Sequence, residues 1–180
     1  MSKVTRKLVA LMMASVMFMT STGVVNAATE TYFQNTGTSY LVHSLTTTKI
    51  GDKSKKLDAL GINKKSYTSG CITVTKSQAH TFSASMTVTG EYSWGFASVS
   101  ASLEVGASYT AEVSAGTTIN LESSAPNGVY YAYVCVPHVK ATYKCQYCTL
   151  SYSGWYTKKT QDIAYMPMVN MEYLEIKKVY

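Results

Sequence analysis

Between Ala97 and Leu121 apolar and polar residues alternate without a break. Twelve of the thirteen odd positions are apolar, Thr117 being the exception, and all twelve even positions are Ser, Thr, Glu, Asn or Gly. Period two belongs to a strand with one buried face, because a helix would scatter the same apolar residues around its circumference. The pattern predicts strand throughout. Ile72 to Thr89 has the same period: its odd positions are Ser or Thr apart from Ala79, and its even positions are apolar at both ends with Lys76, Gln78 and His80 between. Gly90-Glu91-Tyr92-Ser93-Trp94-Gly95 supplies a glycine-flanked turn. Residues 72–122 therefore read as one long amphipathic hairpin. A strand from 97 to 121 would run ~82 Å at ~3.3 Å per residue, far beyond the usual ~3–10 residues. It must be an unusually long hairpin or bend at Gly106 and Gly116 to serve two sheets.

The rest of the chain is also strand-like. Tyr40 to Thr47 and Val129 to Val136 are rich in β-branched and aromatic residues, the second run ending at Pro137. Val139 to Cys148 alternates, and Met171 to Val179 reads as a closing strand. Residues 28–38 read as a loose lead-in, and Gly154 with the polar Thr157–Asp162 stretch reads as turns. The only helix candidate lies between Lys49 and Lys65, with Asp52 as cap, Leu57, Ala59 and Leu60 as apolar edge and Gly61 as stop. The expected fold is all-β: a twisted antiparallel β-sandwich with one long central hairpin and at most one short helix.

Lys3, Arg6 and Lys7 precede an uncharged stretch, Leu8 to Val25, and Val25-Asn26-Ala27 offers small residues at the −3 and −1 positions. This reads as a secretory signal peptide over 1–27, leaving a single domain over 28–180 that is secreted and extracellular. Removing those three cations from the sixteen Lys/Arg leaves thirteen lysines and no arginine against ten acids, a net +3. Lysine lacks the bidentate fork that reads guanine, and the charge is mild, so nucleic acid is excluded as a partner. Lys53, Lys55, Lys56, Lys64 and Lys65 form a candidate patch for an anionic surface. Cys71, Cys135, Cys145 and Cys148 are an even set in an exported chain and read as two disulfides, Cys145–Cys148 and Cys71–Cys135 being the favoured pairing of three. No second CxxC accompanies Cys145 and Cys148, so no metal site is assigned.

The Ser/Thr-rich hairpin resembles the amphipathic stem of aerolysin-type pore-forming toxins. In that family several subunits each contribute one hairpin to a transmembrane β-barrel with a polar lumen and an apolar outside. The resemblance covers about a third of the mature chain and implies a membrane hairpin carried by Phe82, Met86, Val88, Tyr92, Trp94, Phe96, Val99 and Leu103, with oligomerisation if a pore forms. Pairing Phe82–Val88 with Phe96–Leu103 gives strands slightly short of the ~9–11 residues a barrel requires.

Catalytic signatures are absent from the sequence. There is no HExxH, P-loop or GxSxG, and Glu91-Tyr92-Ser93-Trp94-Gly95 lacks the first glycine of the last. His43, His80 and His138 are isolated from sequence-local metal ligands, and Glu104, Glu112 and Glu122 share one strand face. No cofactor is implied. The tyrosines at 130, 131, 133, 143, 147, 152 and 156 could form a sugar- or peptide-binding platform or simply cross-strand pairs. The leading expectation is a non-enzymatic protein binding a glycan, wall polymer or protein at an extracellular surface. The alternative is a small pore former that inserts its hairpin, and the third is a secreted hydrolase or hydrolase inhibitor.

Overall fold

The computed structural model describes residues 27–66, 69–149 and 154–180, so nearly all of the expected signal segment lies outside the described residues. The protein is all-β, with one short α-helix among the described residues. Its spine is β8 (Gly128–Thr149), a strand of 22 residues. Along one edge β8 pairs antiparallel with β2 (Ser39–Lys56) and then with β3 (Ile62–Lys64). Along the other it pairs with β10 (Tyr173–Lys178) over Tyr130–Cys135 and with β9 (Tyr156–Pro167) over His138–Tyr147. β1 (Ala27–Asn35) adds to the outside of β2.

Pro137 does not end the strand. Its carbonyl accepts from Met168 N at 2.9 Å. Its missing N–H would point to the same edge, into the gap where β10 has stopped at Cys135 and β9 begins at His138. At this junction between two partner strands the proline costs the ladder a single bond, to Met168.

The buried face of β8 changes halfway. Tyr130, Ala132, Val134 and Val136 are buried in the first half, and Val139, Ala141, Tyr143 and Cys145 in the second. Strand alternation places these two sets on opposite faces of the sheet. Each has its own core. Ala132, Val134 and Val136 of the first set pack with Leu57, Ile72, Val74, Phe82, Ala111 and Val113. The second packs with Leu45, Val88, Phe96, Val99, Val105, Ile163 and Met166.

Four expectations change. The lead-in is β1, because Tyr32 and its neighbours find partners on β2 from Thr48 back to Tyr40. The 49–65 stretch is not helical: Lys49–Lys56 extends β2 past a bulge where Gly51 takes φ 130°, and Leu57 turns into the first core. The 157–162 stretch continues β9, with Thr160 and Asp162 facing Lys144 and Thr142. The expected disulfides are not formed: none of the four cysteines is bonded to another. Cys145 and Cys148 are three apart on one strand and so face opposite sides of the sheet, while Cys71 is exposed and Cys135 buried. No group of three or more His, Cys, Asp or Glu able to hold a metal occurs among the described residues.

The lysine patch is also divided. Lys64 is only 3% exposed, and its Nζ donates to the carbonyls of Glu122 at 3.0 Å, Ser123 at 2.5 Å and Ala125. It is an internal clamp on the turn before β8 and cannot meet an outside anion. Lys53, Lys55 and Lys56 are exposed, but their ammonium groups lie over the rings of Tyr165, Phe82 and Tyr131, and Lys55 also donates to Thr81 O at 2.7 Å. Replacing Lys64 with Ala would strand three carbonyls, and a lost charged hydrogen bond is worth ~1.5–3 kcal/mol. Lys64→Ala should therefore lower stability by about 2–4 kcal/mol in urea unfolding, with a loss that added salt barely changes because the site is buried.

Candidate functional site: an insert docked around the sheet edge

The long hairpin is present at its base. β4 (Gly70–Thr73) pairs with β7 (Thr118–Leu121), and β5 (Gln78–Ser83) pairs with β6 (Ser108–Val113). Both ladders keep one register, from Gly70 facing Leu121 to Ser83 facing Ser108, with no residue gained or lost between them. Val74 joins the two by bonding Thr117 and Gly116 at 2.9 and 2.8 Å.

Beyond Ser83 the structure departs from the sequence pattern. The ladder adds one more bond, Ala84 N to Ala107 O at 2.8 Å, and then the two arms separate. Ser85 N donates to Tyr165 O at 2.9 Å, and Gly106 N to Pro167 O at 3.0 Å. Val105 bridges Met168. Residues 84–107 thus bend around the β9 edge of the sheet and carry α1 (Ser93–Ser102), after a 3₁₀ turn at Gly90–Tyr92, onto the second core.

Why a period-two sequence accepts a helix here is visible in its small residues. Alanine is the best helix former. The serines that would face water from a strand bond backwards instead: Ser98 Oγ to Trp94 O at 3.1 Å, Ser100 Oγ to Ala97 O at 3.1 Å and Ser102 Oγ to Ser98 O at 3.2 Å. Such bonds satisfy the hydroxyls within the helix. Helical spacing then brings Tyr92, Gly95, Phe96, Val99 and Leu103 to one side. The predicted hairpin turn is therefore corrected to a helix start, and the paired strands 82–88 and 96–103 do not form.

The dock is built around His43 of β2, which is fully buried. Its Nδ1 lies 2.6 Å from the Tyr143 hydroxyl of β8, and its Nε2 lies 3.3 Å from Gln34 Oε1 of β1. With Gln34 oxygen as acceptor, Nε2 carries the proton of a neutral imidazole and Nδ1 accepts. Burial holds the His43 pKa below its ordinary value and pushes the Tyr143 hydroxyl up, so both stay uncharged at neutral pH. Gly95 of α1 rests against the imidazole, and a β-carbon there would clash severely with three ring atoms. Trp94 stands edge-on to Tyr32 at 5.0 Å, and Phe96 edge-on to Tyr143 at 5.5 Å. A half-open cavity of about 610 Å³ remains beside α1, lined by Val88, Phe96, Ser100, Glu104, Val105 and Asn170. The insert is therefore held firmly at the His43 end and loosely along its other flank.

Of the eight expected membrane residues, Phe82, Val88, Phe96 and Val99 are buried, Tyr92 and Leu103 half-buried, and Met86 and Trp94 more than half exposed. Local sequence gave no sign of the dock: His43 and Tyr143 are a hundred residues apart. The tyrosines do not share a platform. Tyr130 and Tyr143 are buried, Tyr131, Tyr133 and Tyr147 sit under Lys56, Lys177 and Lys158, Tyr156 is exposed, and Tyr152 lies outside the described residues.

No described helix is long and apolar enough to cross a membrane, which leaves strands untested. No family model, curated protein or solved structure matches the chain.

Gly95→Ala should lift α1 off the sheet despite improving helix propensity. Overpacking costs about 1–3 kcal/mol, or ~2–4 °C per kcal/mol in Tm for a domain of this size. The double variant with His43→Ala should recover part of the loss, which calorimetry on the two variants would show.

Proposed function

We propose that this is an exported protein that permeabilises membranes by straightening residues 84–107 into the continuation of its own hairpin. The observation that supports this reading is the register of the base. Continued upward, it pairs Met86 with Val105, Val88 with Leu103, Tyr92 with Val99 and Trp94 with Ala97. Gly95-Phe96 is then left as a two-residue loop. Glycine at the first central position is what a type II′ hairpin turn requires.

The same continuation sorts the faces. Phe82, Ala84, Met86, Val88, Tyr92 and Trp94 fall opposite Tyr109, Ala107, Val105, Leu103, Val99 and Ala97, while Ser83, Thr87, Thr89 and Ser93 fall opposite Ser108, Glu104, Ser102 and Ser98. One face becomes apolar and the other polar, with Glu91 and Glu104 among its hydroxyls, as a barrel wall with a wet lumen needs. Phe82–Trp94 and Ala97–Tyr109 supply 13 residues each, above the ~9–11 that cross a bilayer as tilted strand. Tyr92 and Trp94 lead, where aromatic side chains favour the interface. A lone hairpin would leave its edges unpaired in lipid, so several copies must close the barrel.

A second reading, binding of a glycan or wall polymer, draws on the open face behind the dock. There Thr29, Thr46, Thr142 and Asp162 stand in a row across four strands, linked at 2.9 Å between Thr29 and Thr46 and at 2.6 Å between Thr142 and Asp162. Thr31, Ser44, Lys144 and Thr160 form the next row. Alanine at Thr31, Ser44 and Thr46 should abolish sedimentation with purified cell walls if this face binds them, and leave dye release from vesicles unchanged.

The membrane reading is tested by a clamp. In a Cys71→Ser background, Val105→Cys with Met168→Cys ties the insert to the end of β9, whereas Thr81→Cys with Thr110→Cys ties two strands that stay paired throughout. Oxidising the first pair should cut dye release from vesicles by at least about tenfold, a factor worth ~1.4 kcal/mol, and reduction should restore it. The second pair should leak in both states. Leakage indifferent to the oxidised clamp, or no leakage by unclamped protein at either neutral or acidic pH from anionic, zwitterionic or glycolipid vesicles, overturns the reading.

A further inference from the structure

Two of the three histidines are buried in the sheet; one packs against the middle of the segment 84–107, the other against the strand that leads into it. His43 carries Gly95 and the start of α1. His138, on the opposite face of β8, is 1% exposed and stands edge-on to Phe82 at 5.9 Å, at the end of β5 where the hairpin gives way to the insert. Its Nδ1 lies 2.8 Å from Val136 O, and its Nε2 is buried without a hydrogen-bond partner. A second proton on His138 would thus create a buried, charged N–H with no acceptor, which the docked state disfavours.

The surroundings of both rings are poor in compensating charge. Around His43 the titratable groups are Tyr32 of β1, Tyr143 and Cys145 of β8 and Tyr92 of the 3₁₀ turn. Glu91 and Lys158 act on Cys145 from farther out, in opposite directions. Around His138 they are Asp52 and Lys53 of β2, which oppose each other. Asp52 is also engaged by the Tyr173 hydroxyl at 2.7 Å, and Lys53 lies over Tyr165. No carboxylate is paired with either imidazole.

We propose that His43 and His138 together form an acid-sensitive latch: protonating them releases residues 84–107 from the sheet and frees the hairpin to extend. Burial depresses both pKa values, so the docked state takes up protons less readily than the released one. Its stability is complete above the unperturbed histidine value of ~6.5 and is lost as pH falls below it toward the depressed values. The window is the one that separates a neutral exterior from an acidic compartment. The latch rests on the membrane reading only in its vesicle arm, since release can be followed in solution.

Hydrogen exchange of the mature protein, without membranes, between about pH 7.5 and about pH 5 is the direct test, with rates corrected for intrinsic pH dependence. Amides of 84–107 should lose protection at least about tenfold, one pK unit's worth, while β2 and β8 stay protected. His43→Gln retains a donor and an acceptor, and with His138→Gln it should flatten that response while remaining docked at neutral pH. Should the glutamine variants undock at neutral pH, imidazole titration by NMR in the unaltered protein replaces them, and proton uptake must coincide with release. Protection that is constant across the range, or acid release undiminished in a docked double variant, overturns the latch. Acid release that never yields dye leakage overturns the membrane reading and leaves the latch standing. Leakage at neutral pH without acid dependence does the reverse.

Discussion

Everything else in this fold depends on β8 being paired along both edges for nearly its whole length. A strand of 22 residues cannot hide one face under a single small layer. The change of buried parity between Val136 and Val139 resolves this by covering opposite faces at opposite ends. The hairpin base covers the first half of one face, and the insert must pass around the edge to cover the second half of the other. β9 offers the crossing point because it begins pairing only at His138, where β10 has already ended. The dock thus follows from the way the two partner strands share one edge.

The insert obeys two rules at once. Its sequence alternates as a strand, and its backbone from Ser93 to Ser102 is a helix. In most proteins local pattern and global fold agree, and a conflict marks a place where something other than folding is being served. Here the conflict has a definite alternative to resolve into, because the ladder already formed by β5 and β6 extends without a register change to a glycine-led turn.

Much of the architecture was legible. Period two over 72–83 and 108–121 gave the hairpin base, and the aromatic, β-branched and alternating runs gave the first half of β2 and the two halves of β8, not their continuity. The helix was not legible because two residue sets compete for the same apolar positions: Val99 belongs both to the alternating series and to the helical one with Tyr92, Phe96 and Leu103, and only the neighbouring Tyr143 and His43 decide between them. The lysines misled for a similar reason. Lys53, Lys55 and Lys56 look like a helix face in isolation, yet each is a strand residue whose ammonium group lies over an aromatic ring. Charge density in sequence carries no information about such covers. Even cysteine count misled, since pairing depends on which face of a strand each thiol occupies.

The balance between the two forms of the insert is set by what surrounds it. Straightening 84–107 in water would form further ladder bonds but uncover Val88, Phe96, Val99 and Val105, which are at most 5% exposed in the dock. At ~1.5–3 kcal/mol per buried apolar side chain, that exposure costs about 6–12 kcal/mol, while the new ladder bonds largely replace backbone bonds that α1 and the edge contacts already make and so add little net. The docked helix therefore wins in water. Beside an apolar phase the same four side chains are covered again without the sheet, the exposure cost vanishes, and only the contacts of the dock itself hold the helix in place. Those contacts converge on one imidazole packed against a glycine. A change confined to that ring then weighs on the whole equilibrium in a way that a change of equal size on the open flank of α1, beside the cavity, would not.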